Sequence, residues 1–139
     1  MKINLVVLSI LATIVLFTGC TDTVVEFNDE KLETVIRQEI NKPTGDVYLS
    51  DVSEIKELDL SSSTIRDITD ISALSNLTNL EELALANNNI TDISALSNLT
   101  NLERLYLSVY NITDISALSN LTNLEELTLA NNNITDTAL

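Results

Sequence analysis

From residue 80 the apolar positions recur at fixed intervals: Leu80, Leu83, Leu85 and Ile90, then Ile93, Leu96 and Leu99. The same seven return 22 residues later, from Leu102 to Leu121, and start again at Leu124. Around Leu83 and Leu85 the alternation with Glu82, Ala84 and Ala86 has the period of a short strand with one buried face. Ile55, Leu58 and Leu60 open a related unit 25 residues before Leu80, its "IRDITDIS" stretch carrying three extra residues. Upstream of the repeats the period changes. Within "FNDEKLETVIRQEINKPTG" (27–45), Leu32, Val35, Ile36 and Ile40 fall at i, i+3, i+4 and i+8, which predicts one amphipathic helix. Asn28 is the expected cap, with Phe27 stapled onto Leu32 and with Asp29 and Glu30 suiting the positive helix start. Pro43 and Gly45 are the expected stop.

A helix this short needs a surface to bury its stripe, and the repeats supply one. Stacked units would place their strands side by side in parallel, about 4.8 Å apart. The segment holding Ile93, Leu96 and Leu99 would return the chain along the outer side as a 3₁₀ turn begun by Asp92. Asn88 and Asn132, at the ninth position of their units, can satisfy backbone groups at the buried turn with their amides. Ser63 and Tyr110 stand at that position in the first and third units. A phenol cannot repeat the amide's hydrogen bonding. Tyr110 therefore reads either as a local stability cost or as an extension of an aromatic patch.

The unit L-x-x-L-x-L-x-x-N-x-I followed by T-D-I-S-A-L-S-N-L-T-N resembles the leucine-rich repeat of the bacterial internalin type. The helix and the "KPTGDVYLSDVSEIKELDLS" that follows it resemble the cap of such arrays. The resemblance covers residues 27–139. It implies an α/β solenoid with an N-terminal helical cap over 27–54, parallel strands on the concave face and 3₁₀ turns on the convex face. The repeats would run over 55–139, in units from 55, 80, 102 and 124, the last incomplete. An array that ends on an open leucine layer exposes an apolar patch, which raises self-association as a property of the chain.

In such repeats a binding surface is made by the outward positions of the strands. Carried over, these are Glu57, Asp59, Ser61 and Ser62, then Glu82, Ala84, Ala86 and Asn87. Arg104, Tyr106, Ser108 and Val109 follow from the third unit, and Glu126, Thr128, Ala130 and Asn131 from the fourth. "LERLYLSVYN" (102–111) lies between the near-copies "LEELALANNN" and "LEELTLANNN". Units 80–101 and 102–123 differ at five positions of 22, and four of the five belong to this outward set. Arg104, between Glu82 and Glu126, is accounted for by an alternating charge row. Tyr106, between Ala84 and Thr128, has two readings: a ring standing proud as a binding anchor, or one lying flat over its small neighbours.

The first residues change the picture again. Lys2 precedes an apolar run over 3–17, too short to cross a bilayer comfortably, and "FTGC" follows. The pattern reads as a secretory signal. Thr18, Gly19 and the single cysteine, Cys20, resemble the lipobox of bacterial lipoproteins, with Phe17 where leucine is usual. The resemblance implies a signal peptide over 1–19, acylation of Cys20, a tether over 20–26 and anchorage at the outer face of the cell membrane. An ordinary signal peptide or an uncleaved anchor is the alternative.

The full chain has 7 basic and 21 acidic residues and no histidine. Removing 1–19 takes Lys2 and no acid, leaving 6 minus 21, a net −15. That charge argues against nucleic acid or an anionic bilayer surface as partner and keeps a surface protein soluble. Triads and imidazole or thiolate metal sites lack their residues, and two glycines make no phosphate loop. Glu82 and Glu126, about 9.6 Å apart at two strand spacings, are the remaining carboxylate pair, and Arg104 stands between them. The aspartates occur singly, without the spacing of a calcium loop. The expectation is a non-enzymatic, lipid-anchored module without cofactor that binds a protein through Glu57, Asp59, Glu82, Ala84, Arg104, Tyr106, Ser108, Val109, Tyr110, Glu126 and Thr128. The alternative is an uncapped repeat fragment that self-associates or is purely structural.

Overall fold

A computed structural model describes residues 22–61, 66–108 and 111–135. Cys20 and the apolar leader lie outside the described residues, as do Ser62, Ser63, Val109 and Tyr110. Helix α1 spans Glu30–Glu39, α2 spans Leu49–Val52, and four three-residue strands follow: β1 Glu57–Asp59, β2 Glu82–Ala84, β3 Arg104–Tyr106 and β4 Glu126–Thr128. 3₁₀ turns at Ser72–Asn76, Ser94–Asn98 and Ser116–Leu118 separate the strands. The strands form one parallel sheet in sequence order. Each of the first three units is thus a strand on one side and a turn on the other, with the leucines between.

The helix of the cap is shorter and differently tied than the sequence suggests. Asp29, not Asn28, caps α1: its Oδ1 accepts from the N–H of Lys31 at 2.9 Å and of Leu32 at 3.2 Å. Asn28 instead donates to the Ser72 hydroxyl at 3.1 Å. The helix stops at Glu39, before Pro43 and Gly45, and Asn41 reverses the chain with φ 52°. Leu32, Val35 and Ile36 are buried, and Ile40 and Phe27 pack against the core from its edge. The stretch read as a tether takes part in the cap. Val24 bridges Tyr48 in antiparallel fashion, Val25 N–H donates to Val47 O at 2.8 Å, and the Val25 side chain is buried.

Layer packing follows the leucine register. Leu83, Leu105 and their neighbours Leu80, Leu85, Leu102 and Leu107 have no solvent exposure, because each is covered by a unit on both sides. In the fourth unit the matching Leu124, Leu127, Leu129 and Ile134 are only partly buried. Ile68 takes the place in unit one that Ile112 takes in unit three, since each accepts at its carbonyl from the asparagine one repeat on, Asn89 and Asn133. The extra residues of the first unit therefore precede Ile68.

Two asparagine ladders hold the turns. Asn88, buried in the core, accepts from Ile68 N–H at 3.1 Å and donates to Leu60 O at 2.8 Å and Leu85 O at 3.2 Å. Asn132 treats Ile112 N–H, Leu107 O and Leu129 O in the same way. Each amide reaches back one unit, satisfying backbone groups that no strand or turn pairs. The residue before each, Asn87 and Asn131, sits in the left-handed region at φ 62° and 61°, which asparagine tolerates. The second ladder was not evident in the sequence. Asn79, Asn101 and Asn123, just before the strands, donate to Ser53 O, Thr78 O and Thr100 O at 2.8–2.9 Å. On the other side, Asp70, Asp92 and Asp114 accept from Ser72, Ser94 and Ser116 N–H at 2.8 Å, starting each 3₁₀ turn as expected of Asp92.

Candidate functional site

The side chains that leave the sheet away from the leucines form two rows. Glu57, Glu82, Arg104 and Glu126 are successive partners in register, and Asp59, Ala84, Tyr106 and Thr128 are the next. Leu58, Leu83, Leu105 and Leu127 lie between them and point inward, since successive residues of a strand face opposite sides. The sequence-expected face is therefore one surface as far as the described residues reach. Val109 and Tyr110 cannot be added to it, because they lie outside those residues.

Arg104 does not bridge its two register neighbours evenly. Its Nε lies 2.7 Å from Glu82 Oε2 and its Nη1 lies 3.4 Å from Glu103 Oε2. The hydrogen bond and charge of Glu82 raise the already high guanidinium pKa further. The carboxylate of Glu126 is taken by a different group: the Tyr106 hydroxyl donates to its Oε2 at 3.1 Å. Tyr106 is half-buried. Its phenol reaches over β4, with the short side chains of Ala84 and Thr128 at either side in register. Burial, then the hydrogen bond and charge of Glu126, and then the charge of Glu82, push its pKa up, against the pull of Arg104.

The rest of the surface is more acidic than the strand positions alone indicate. Glu81, Glu103 and Glu125 precede the strands in matching places, and Lys56 pairs with Glu81 at 2.7 Å at one end of that row. The repeated "LEE/LER/LEE" wording carried this second row, and the fold shows that Glu103 turns its carboxylate toward the Arg104 guanidinium. Asp59 is turned to its own chain, accepting from the Ser61 N–H at 2.8 Å and from its hydroxyl. Ser108 lends its carbonyl to Asn87 N–H at 3.3 Å, and its side chain is half-buried. Glu57, Glu125 and Glu126 are exposed.

Chemically this surface can hold cations and aromatic or aliphatic side chains by contact. Among the described residues no three His, Cys, Asp or Glu side chains are grouped to hold a metal ion. Among them too, no helix is long and apolar enough to cross a membrane.

Known proteins carry the same architecture. The family model for leucine-rich repeats in two copies matches residues 53–98, 78–120 and 100–139. Among solved structures, an internalin (inlF) from Listeria monocytogenes is 40% identical with a TM-score of 0.71, over 80% of this chain and 32% of that one. Internalin C2 from the same organism is 39% identical with a TM-score of 0.59, over 65% of this chain and 38% of that one. A Clostridium perfringens ZmpB structure described as holding CBM51-2 and INT domains is 30% identical with a TM-score of 0.54, over 62% and 18%. The chain thus spans about a third of the length of the internalins it matches. No curated protein matches it significantly.

Proposed function

This chain belongs to the leucine-rich repeat family, and from that premise we propose that it is a protein-binding module held at the outer face of a cell membrane, gripping its partner on the concave sheet. One observation carries the reading. Two units that share every buried leucine and their whole convex half differ at five positions, four of them where side chains leave the sheet, and Arg104 and Tyr106 of β3 lie there between Glu82 and Glu126. Packing does not constrain those positions, and a half-buried tyrosine at the centre of a sheet face is the residue type that concentrates interface energy. The likeness to internalins supports an internalin-type repeat array. A face of this kind needs no catalytic group and no cofactor.

Membrane attachment rests on the sequence. Residues 1–19 act as the export signal, and Cys20 takes the lipid, so the cap stands close to the bilayer. Stable anchorage requires more than one acyl chain, since each buried methylene supplies only about 0.8 kcal/mol. Mass spectrometry of the membrane fraction should find an acylated N-terminal Cys20, and Cys20→Ser should release the protein. An unmodified cysteine in membrane-bound protein would remove the lipid anchor from the proposal.

The binding test places a photo-crosslinking residue at Ala84 on the sheet and, separately, at Ala95 on the convex turn. Adducts with a discrete protein should form from position 84 and be lost with Tyr106→Ala and Arg104→Glu. Adducts from position 95 alone, or insensitivity to both substitutions, would place the interface elsewhere. A second reading is favoured by the partly buried Leu124, Leu127, Leu129 and Ile134: association of copies through that layer. Sedimentation decides it, because a monomer at all concentrations would dismiss self-association.

A further inference from the structure

We infer that the partner offers the concave sheet an arginine-bearing, positively charged extended segment, seated on Tyr106 between Glu82 and Glu126; the inference rests on the concave-face reading above and names its ligand chemistry. The described outward positions of the four strands carry Glu57, Asp59, Glu82 and Glu126 against Arg104, four negative charges to one positive. That one positive charge is already spent. Arg104 is bonded to Glu82 and lies beside Glu103, so among the described strand positions an acidic partner finds no unpaired cation, while Glu57, Asp59 and Glu126 remain in excess.

The aromatic ring gives the acidic face a specific seat. The Tyr106 hydroxyl is tethered to Glu126, which fixes the ring's direction and holds a carboxylate at its rim. The small Ala84 lies beside it on β2, in register, and leaves room for an incoming side chain. A cation over an aromatic face with carboxylates at the edge is attracted by both. Arginine suits such a site better than lysine, because its planar fork stacks on the ring while bonding a carboxylate. A second copy of this chain is a poor occupant. The chain carries a net charge of −14, and face-to-face pairing would set these carboxylates against one another.

The test titrates the full chain, kept in detergent, with three short peptides alternating serine with arginine, lysine or glutamate. The arginine peptide should bind most tightly, the lysine peptide more weakly and the glutamate peptide not at all. Tyr106→Ala and Glu126→Gln should each weaken the arginine peptide about three- to tenfold. Tyr106→Phe, which keeps the ring, should retain most of the affinity and guards against loss through misfolding. Asp67→Asn removes the same charge as Glu126→Gln from a site paired with Lys31 of the cap, and should leave binding unchanged. Equal weakening by Asp67→Asn and Glu126→Gln, or no preference for arginine, would overturn the inference. If the peptides fail while crosslinking at Ala84 still responds to Tyr106→Ala, only the ligand chemistry falls and the concave interface stands.

Discussion

The Tyr106 hydroxyl donates to the Glu126 carboxylate at 3.1 Å, tying the aromatic side chain of β3 to the next strand. Burial first, and then the Glu126 and Glu82 carboxylates, disfavour the phenolate and hold this pKa above the ordinary phenol value. A raised pKa favours the folded state while the group is neutral. This contribution is complete below the unfolded phenol value and is lost as pH rises through the folded one. Ultraviolet titration should therefore show a tyrosine that ionises late, and Glu126→Gln should bring it earlier. A Tyr106 that ionises as an exposed phenol does would disprove the hydrogen bond.

Arg104 breaks a row of carboxylates, being bonded to Glu82 and flanked in register by Glu126. Arg104→Glu would set like charges directly opposite on adjacent strands, which destabilises a sheet. Its melting temperature should fall at low ionic strength and recover much of the loss at high salt, because these groups are solvent-screened. Arg104→Gln, neutral and of similar reach, should fall less. Salt-independent melting differences would mean that the charge row contributes nothing.

Asp29 joins the cap to the first repeat. One carboxylate oxygen caps α1, and the other accepts from Thr69 N–H at 2.9 Å and from Asp70 N–H at 3.5 Å. Burial pushes its pKa up, but the N–H donors of Thr69, Leu32, Lys31 and Asp70 outweigh it and hold the carboxyl below the usual range. With a depressed pKa, the stability is present above the unfolded carboxylate value and is lost as pH falls through the folded one. Asp29→Ala should cost about 0.5–2 kcal/mol from the cap alone, and should flatten the acid limb of a pH–stability curve. An unchanged acid limb would rule out Asp29 as its source.

The asparagine ladder can be broken at one rung and mended at another. Asn88→Ala strands the Ile68 N–H and the Leu60 carbonyl in a buried turn and should cost about 1–3 kcal/mol by denaturant unfolding. Tyr110 holds the same place in the third repeat. Since each amide reaches back one unit, its natural clients belong to the second. Tyr110→Asn should stabilise the chain by about 1 kcal/mol. A loss of stability instead would show that the tyrosine contributes packing worth more than the missing amide.

Position along the solenoid should grade the cost of identical truncations. Leu105 is fully buried between two layers, whereas Leu127 is half-buried in the last described one. Leu105→Ala should cost about 2–5 kcal/mol, and Leu127→Ala clearly less. Equal losses would mean that something covers the fourth layer in solution.

The division between what was legible and what was not follows the range of the interactions. The period of 22 residues, the alternation around Leu83 and the stripe at Leu32, Val35 and Ile36 are repeated within the chain itself. The strands, the parallel stack, the 3₁₀ turns begun by aspartate and the outward row were therefore readable. Which acceptor Tyr106 meets was not, because Glu126 lies 20 residues on and competes with Thr128 as the nearest group. The cap was misread where two neighbouring residues could both serve. Asn28 and Asp29 are equivalent as sequence signals, and the contacts of Thr69 and Ser72 from the first repeat assign one to the helix and the other to the turn.

By itself, then, the sequence determined that the units stack, since a leucine row recurring every 22 residues has no other way to leave water. It determined too which side chains share a face. Only the tertiary structure decided the pairings on that face, Arg104 with Glu82 and Glu103 and Tyr106 with Glu126, and, away from it, drew Val25 into the cap. The cross-strand choices depend on the direction of side chains across a gap of about 5 Å between strands, a distance that one strand's sequence does not encode.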